Sequence, residues 1–424
     1  VFSAGNNKIM SGTTTLVDET PAAYTINDDN WKIVNFNEAA YFFQKNQEPL
    51  IYTNAGGLET FAAYTGAATP ANLWCHEALQ AYGRLWIAKT ATDNQIIYWS
   101  DLLVGTDFSG GSSGSIDVSK AWPNGHDEIR ALAAHNNLLI VFGRHSIIVY
   151  EGAASPATMA ISDTVAGVGC VCRNSVQHIG TDVLFLSQSG LRSFGRTITQ
   201  KSMPINDLSL NIKTEFIQAI DSRTGPTASV YSPENSFYLI TFPDQLTTYC
   251  FDLRGLLENG AYRVTRWPSN SYKCFERKTD GTLYIGTADG VGEYKDYSDN
   301  GAAYRFRYYS PGLTFGDPSK LKILKKLRPT LVGANSASVV LYWGYDLTTN
   351  YSTAEFTVGN QNPAFYGITE FTVGEFTGGE LTSRRQINTT GDGTVVTIGL
   401  ESDINGFPLS LQEINVLALI GKTL

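Results

Sequence analysis

The chain has 424 residues, of which 42% are hydrophobic and 17% charged, and this balance excludes both a disordered chain and a coiled coil. Aromatic residues make up 12%, and together with 40 glycines they favour strands and turns over long helices. The formal net charge of −9 argues against a general nucleic-acid binder, which would normally be basic.

Charge is unevenly distributed along the chain. Residues 301–424 hold ten Lys/Arg and ten Asp/Glu, so 21 basic and 30 acidic residues place the whole net charge on residues 1–300. We therefore expect two regions with different surfaces.

The termini, apolar runs and cysteines set further limits. No apolar run approaches the roughly 18 residues of a membrane span, and the first residues carry no signal-peptide pattern. Since the sequence begins with Val1 rather than Met, we expect a fragment of a longer product.

Five cysteines are too few and odd in number for a disulfide framework, and Cys170 and Cys172 lack a second close pair for zinc. We expect buried or half-buried free thiols.

Hairpin-like segments recur along the first 300 residues. In "NNLLIVFGRHSIIVYEG" (residues 136–152), two apolar runs flank a Gly-Arg-His-Ser turn, which predicts a β-hairpin. Similar segments lie near residues 9, 50, 85, 183, 238 and 283.

The spacing of these hairpins indicates a repeated unit. Successive hairpins lie 41, 35, 53, 45, 55 and 45 residues apart, and four-stranded propeller blades repeat at roughly 40–50 residues. Because one blade cannot bury both of its faces alone, the pattern predicts a β-propeller of six or seven blades over residues 1–300. The alternative is an irregular β-sandwich, in which hairpins recur because antiparallel proteins are made of them.

Two segments depart from this rhythm. "DLSLNIKTEFIQAI" has apolar residues at helical spacing, which predicts an amphipathic helix with Asp207 as its N-cap. After residue 300, longer alternating strands, including "TEFTVGEFTGGE" (residues 369–380), predict a β-sandwich or jelly-roll-like domain over residues 301–424.

Catalytic and metal-binding motifs are missing from the sequence. No phosphate-binding loop, nucleophile elbow, zinc-protease or EF-hand pattern occurs, and the five histidines are scattered. His126, Asp127 and Glu128 are adjacent, and we expect a turn with solvated charges. We predict no catalytic residues, no cofactor and no metal, although propellers often carry active sites at their axis and an enzyme stays an alternative.

One basic cluster stands out in "SKLKILKKLRP". Its residues are Lys320, Lys322, Lys325, Lys326 and Arg328. They could form a subunit interface, contact nucleic-acid phosphates, or be the solvated face of an edge strand, where lysines discourage aberrant pairing.

The order of the segments resembles a known family. "GRLWIAKTATDNQIIYWSDLLVGTDF" is followed by "DEIRALAAHNNLLIVFGRHSIIVYEG", "GVGCVCRNSVQHIGTDVLFLSQSGLRSF", "YSPENSFYLITFP", "CFERKTDGTLYIGTADGVGEYKD" and "LKILKKLRPTLV". Over roughly residues 80–350 this succession resembles the tail nozzle (tail tubular protein B) and head-closure propeller proteins of short-tailed bacteriophages. The present chain is much shorter than the larger nozzles.

The resemblance implies a structural virion protein of the tail, made in the host cytoplasm. Family members form a homo-hexameric ring that contacts the portal–adaptor stack or other tail proteins, and tail fibres or spikes are further candidate partners. The ring retains the packaged genome and lets it leave through a channel without sequence-specific DNA binding. An acidic region 1–300 would suit a wall that repels phosphates. The alternative is a propeller-type surface protein that binds or cleaves glycans.

Overall fold

The computed structural model describes residues 2–5, 7–12, 15–61, 74–90, 93–200, 207–268, 272–288, 290–333, 337–358 and 382–423. The predicted strand at residues 369–380 lies outside them. The chain divides into two compact units, Val1–Tyr294 and Lys295–Leu424. The loss of the hairpin rhythm predicted this boundary at residue 300.

Seven antiparallel sheets follow one another in the described part of the first unit. Sheet 1 contains β1 (Phe2–Ala4), β2 (Ile9–Ser11) and β3 (Val17–Asp18); sheet 2 contains β4 (Lys32–Phe36), β5 (Ala39–Phe43), β6 (Leu50–Thr53) and β7 (Gly57–Thr60). Sheet 3 contains β8 (Cys75–Ala81), β9 (Arg84–Thr90), β10 (Ile96–Trp99) and β11 (Gly114–Asp117); sheet 4 contains β12 (Ala131–His135), β13 (Leu138–Phe142), β14 (Ser146–Glu151) and β15 (Ala160–Ala166). Sheet 5 contains β16 (Gln177–His178), β17 (Val183–Ser187) and β18 (Gly190–Ser193). Sheet 6 contains β19 (Ala228–Ser232), β20 (Phe237–Phe242), β21 (Thr247–Leu256) and β22 (Tyr262–Pro268); sheet 7 contains β23 (Cys274–Arg277), β24 (Leu283–Gly286) and β25 (Val291–Glu293).

Each predicted hairpin falls in a different sheet. In the hairpin of residues 136–152, β13 and β14 pair antiparallel, and nearly every residue of both strands is buried. Such continuous burial requires apolar neighbours on both faces of the sheet. The prediction of an all-β chain is confirmed, and its four-stranded antiparallel sheets match the expected unit.

Consecutive sheets share hydrophobic cores. One core joins Trp86 of sheet 3 to Leu139 of sheet 4, and the next joins Phe142 of sheet 4 to Phe185 of sheet 5. Similar cores link sheets 1 and 2, 2 and 3, 5 and 6, and 6 and 7. Each of sheets 2 to 6 therefore packs against both of its neighbours in the sequence, and sheets 1 and 7 each pack against one.

Two α-helices interrupt the strands of the described residues: α1 (Phe194–Gln200) and α2 (Lys213–Ser222). Phe216 and Ile220 of α2 are buried, as the helical spacing predicts. The predicted N-cap is wrong, because a short 3-10 turn (Leu210–Ile212) precedes α2 and Ile212 caps it. Asp207 instead accepts hydrogen bonds from the amide and hydroxyl of Ser209.

The second unit has nine strands in its described part. They are β26 (Tyr304–Tyr309), β27 (Lys320–Gly333), β28 (Ala337–Tyr345), β29 (Ser352–Val358), β30 (Thr382–Arg384), β31 (Ile387–Asn388), β32 (Asp392–Gly393), β33 (Val396–Ile404) and β34 (Leu409–Thr423). Sheet 8 has the order β26-β33-β28-β29, while in sheet 9 the long β27 pairs with β34 and with β30, β31 and β32. One core, which includes Leu327, Leu341 and Leu400, joins the two sheets.

Candidate functional site

The five basic residues predicted as an interface do not share one surface. All five belong to β27, but Lys322 is fully buried, and its Nζ donates a hydrogen bond to the carbonyl of Asp317. Lys320 forms an ion pair with the Asp317 carboxylate at 3.3 Å. The prediction of a single basic surface is therefore wrong for Lys322.

The alternative interpretation of this row as an edge strand is also wrong. β27 is a central strand, because β34 pairs along one side of it and β30, β31 and β32 pair along the other. The register with β34 shifts between Leu324 and Lys326. Such a bulge explains why the basic residues on the two sides of it differ in burial.

Part of the row belongs to a mixed apolar and basic surface, which we call the β34 patch. It consists of Leu417, Leu419, Lys326 and Arg328. The two apolar residues are each more than half exposed, and Leu417 lies opposite Lys326 in the register. Arg328 is held by two hydrogen bonds, of 3.0 and 2.7 Å, to Oε1 of Gln386. A contiguous exposed patch of this kind is typical of an interaction surface.

The predicted turn at His126–Glu128 contains a buried carboxylate. Asp127 accepts hydrogen bonds of 2.8 Å from the amides of Arg144 and His145 and from the hydroxyl of Ser146. Burial opposes its ionised form, but these bonds outweigh burial and lower its pKa. The expectation of solvated charges is therefore wrong for Asp127. Its carboxylate stabilises the turn of the β13–β14 hairpin through these hydrogen bonds.

A cluster of charged residues that the sequence did not predict lies on the first strands of sheets 2 and 3 and on segments next to them and to sheet 4. We call it the inner-strand cluster. Its members are Asp28, Lys32, Lys45, His76, Glu77, Lys89, Glu128, Arg130 and Arg173. Strands β4, β8 and β12 contact one another in succession, and the 3-10 turn Arg173–Ser175 contacts β12.

Two carboxylates of this cluster are paired with cations. Oε1 of Glu77 lies 3.6 Å from Nζ of Lys32. Glu128 forms one ion pair with Lys89, at 3.5 Å, and another with Arg130. Glu77 is 1% exposed, so neighbouring cations rather than solvent surround its carboxylate.

Arg173 is the most deeply buried cation of the cluster. It is 4% exposed, and its Nη2 donates hydrogen bonds of 2.7 and 2.8 Å to the carbonyl and side-chain oxygens of Asn30. Nε and Nη1 of Arg173 are buried without a hydrogen-bond partner among the described residues. Burial lowers the pKa of this guanidinium, and the negative charges of Glu77 and Asp28 partly offset that effect.

His76 lies among the cations. Burial lowers its pKa to about 2, and the charges of Arg173, Lys89, Lys45 and Arg130 contribute to the same shift. His76 is therefore neutral at physiological pH. Its Nδ1 is buried and lacks a hydrogen-bond partner among the described residues.

The sequence contained one weak signal for this cluster. Glu77, Lys89 and Arg130 each interrupt or border an apolar strand run, in "CHEALQ", "RLWIAKT" and "EIRAL". A charge in a buried strand usually has a partner. Only the packing of separate sheets, however, reveals which of these charges meet.

A second polar cluster lies on one face of sheet 8. Glu401 accepts hydrogen bonds from Arg305, from Tyr309 (2.8 Å) and from Tyr342 (3.3 Å). The rings of Tyr309, Tyr342 and Tyr351 lie within 5.7–6.2 Å of one another. Tyr309 rests on Gly399, where a Cβ would lie 2.3 Å from its ring.

The described residues contain neither a group of metal ligands nor a membrane-spanning helix. No three or more His, Cys, Asp or Glu side chains are grouped so as to hold a metal ion. Neither described helix has the length and apolar character needed to cross a membrane.

Cys274 is exposed, contrary to the prediction for the cysteines, whereas the other four are buried or half-buried.

Comparisons with known proteins identify no family for this chain. No family model matches it, and no curated protein does. Among solved structures, it is similar to PorZ, a surface component of the type-IX secretion system of Porphyromonas gingivalis, with 12% identity and a TM-score of 0.37 over 69% of this chain and 36% of that chain. It is also similar to the WD40 β-propeller domain of Doa1, with 10% identity and a TM-score of 0.36 over 62% of this chain and 90% of that chain. Likenesses this distant carry no inference about function.

Proposed function

We propose that this chain is a structural virion protein of a short-tailed bacteriophage. It acts as one subunit of a hexameric tail-nozzle or head-closure ring, which encloses the DNA channel, retains the packaged genome and permits its ejection. In this proposal Val1–Tyr294 is a β-propeller with its seven sheets as blades, and Lys295–Leu424 is a β-sandwich. The succession of shared cores between consecutive sheets supports the propeller.

The β34 patch carries the assembly part of this proposal. Leu417 and Leu419 expose apolar surface beside Lys326 and Arg328, whereas residues 1–300 carry the whole net negative charge of the chain. A second copy of the same chain therefore offers acidic surface to this basic patch. A head-to-tail contact of this kind closes into a ring when its rotation is right.

The edge of β34 provides a further means of contact. Among the described residues β34 pairs only with β27, and no other strand of that part of the chain pairs with its second side. Open strand edges readily pair with another chain.

Electron microscopy and light scattering test the proposal. The purified protein should form six-fold rings, and the double variant Lys326→Glu/Arg328→Glu should shift the population toward monomers. Lys120→Glu, which changes an exposed lysine of the first unit, is the matched control and should assemble like the unmodified chain. A strictly monomeric protein, or rings that form equally well in both variants, would contradict the assembly role of the patch.

The tyrosine cluster on sheet 8 supports the second candidate function, glycan binding. Tyr309 is 40% exposed, and its hydroxyl contacts the Glu401 carboxylate. A partly exposed aromatic ring beside a polar group presents an amphipathic surface. Binding of a neutral oligosaccharide that Tyr309→Ala abolishes, by a protein that stays monomeric, would favour this function over the ring.

A further inference from the structure

The inner-strand cluster carries more positive than negative charge. Its five cations are Lys32, Lys45, Lys89, Arg130 and Arg173, and its three carboxylates are Asp28, Glu77 and Glu128. Since His76 is neutral, two positive charges stay unbalanced. This excess lies inside the unit whose residues supply all of the net negative charge.

The deep end of the cluster has donors that the protein itself does not use. Nε and Nη1 of Arg173 and Nε of Arg130 are buried donors that have no hydrogen-bond partner among the described residues, and Nδ1 of His76 and both carboxylate oxygens of Glu77 are likewise buried without such a partner. An unsatisfied buried donor is costly, and a charged donor more so. These side chains belong to three different segments of the chain, and the charges of Arg173 and Arg130 both act on His76.

The shallow end of the cluster is open to solvent. The side chains of Lys32, Arg130 and Glu128 are 28%, 27% and 33% exposed, and Lys45 is an exposed residue. These residues are therefore the side on which ions from solvent meet the cluster.

We propose that the inner-strand cluster binds a small tetrahedral oxyanion, with inorganic phosphate as the chemical prototype, between Arg173, His76 and the cations at the shallow end. A guanidinium presents its N–H groups in a planar fork that matches two oxygens of such an anion. A dianion would balance the two excess positive charges. This site is independent of ring assembly and adds a ligand to the proposed structural role.

Isothermal titration of the full chain with inorganic phosphate tests the site. We expect a Kd of about 1 mM or tighter. In 10 mM phosphate the unfolding temperature should rise by roughly 2–5 °C relative to chloride of equal ionic strength. Titration with a nucleoside monophosphate then distinguishes two kinds of site. A site for the free ion would not bind the nucleotide, whereas a site for the phosphoryl group of a larger ligand would bind it.

Two variants and one control connect binding to the cluster. Arg173→Lys keeps the charge but loses the fork, and should weaken phosphate binding at least about tenfold. Lys45→Ala removes an exposed charge and should weaken binding about two- to fivefold without affecting the fold. Lys120→Ala, an exposed lysine outside the cluster, should bind like the unmodified protein.

The same measurements can overturn the site. If phosphate and chloride stabilise the protein equally and titration detects no binding, the cluster is a hydrated charged core without an anion. If Lys45→Ala and Arg173→Lys both bind phosphate as tightly as Lys120→Ala, the anion binds elsewhere. Because Lys45→Ala leaves the buried residues intact, misfolding of Arg173→Lys would not obscure the result, and ring formation has no bearing on either outcome.

Discussion

Asp127 shows how one buried carboxylate can determine a local conformation. Its hydrogen-bond donors lie in the turn between β13 and β14 and at the start of β14. They are the backbone amides of Arg144 and His145 and the hydroxyl of Ser146. A Cβ on Gly143 would lie 2.4 Å from the carboxylate, so the turn needs glycine there for the close approach. The charge and the glycine together fix the turn.

Removal of this carboxylate should destabilise the first unit. In Asp127→Ala, two amides and a hydroxyl lose their buried acceptor, and we expect the free energy of unfolding to fall by about 1–3 kcal/mol. Urea denaturation measures the change. Asp221→Asn, at an exposed position of α2, is the control and should stay within about 0.5 kcal/mol of the unmodified chain. Equal stabilities of the two variants would contradict this role of Asp127.

The carboxyl group of Asp127 should also make the stability of the first unit depend on pH. The pKa of Asp127 is lower in the folded chain than its ordinary value of 3.8, so on acidification the unfolded chain takes up the proton first. The stabilisation is complete above pH 3.8 and is lost as the pH falls through the folded pKa. The stability difference between the unmodified chain and Asp127→Asn should therefore shrink between pH 5 and pH 2. A difference that stays constant over this range would rule out the linkage.

The sequence could not reveal the role of Asp127, for a physical reason. Its neighbours in "GHDEIR" are polar, and adjacent polar residues usually form a solvated turn. The burial comes from residues 144–146, which the β-hairpin brings to it. The same reason hid Arg173, whose hydrogen-bond partner Asn30 is 143 residues away.

At the scale of elements, β27 shows that local patterns identify strands better than they identify neighbours. The alternation in "LKILKKLRPTLV" predicted a strand, and β27 occupies Lys320–Gly333. The pattern could not predict the bulge, and a one-residue shift moves every later side chain to the other face. Lys322 therefore faces the core, while Lys326 and Arg328 reach the β34 patch.

This difference between neighbouring lysines can be tested. Lys322→Glu would place a carboxylate in a fully buried position, near the Asp346 carboxylate with which Lys322 interacts. We expect a loss of about 3–5 kcal/mol in the free energy of unfolding, as for other unpaired buried charges. Lys325→Glu, at an exposed position of the same strand, should change it by less than about 0.5 kcal/mol. Thermal unfolding compares the pair, and similar transitions would show that Lys322 is not buried in solution.

The contact between the turn of sheet 4 and the segment leading to sheet 5 depends on a glycine. A Cβ on Gly169 would lie 2.4–2.5 Å from backbone atoms of Gly143 and Arg144, which cannot move aside as a side chain can. Gly169→Ala should therefore cost about 1–3 kcal/mol or more. Gly225→Ala is the control, since nothing lies within 4 Å of that position, and equal stabilities would contradict the predicted clash.

At the scale of the whole molecule, the recurrence of hairpins predicted more than composition did. Seven segments, each with two apolar runs about a turn, predicted one hairpin in each of the seven sheets. This was possible because each hairpin is encoded within about 20 consecutive residues. Net charge predicted an acidic first region but not the cationic inner-strand cluster inside it. A sum over residues carries no information about which charges become neighbours.

Assembly should depend on salt if the β34 patch meets the acidic region of another copy. Exposed charge pairs are screened at high ionic strength, so the fraction in rings should fall when NaCl is raised from 50 to 500 mM. The double variant Leu417→Ser/Leu419→Ser should also assemble less, and its remaining assembly should keep the salt dependence. Rings that are indifferent to salt would exclude Lys326 and Arg328 from the contact.

The pairing distances in the two units also imply different folding kinetics. In the first unit each sheet forms from strands close in sequence, so it can fold as it leaves the ribosome. In the second unit Tyr304 pairs with Ile404, and Lys322 with Ile420. Closing such long loops is slow. In addition, β34 (Leu409–Thr423) must leave the ribosome before β27 can pair with it. The second unit should therefore be the slower to fold, and during synthesis it should expose its core for longer, when chaperones could bind it.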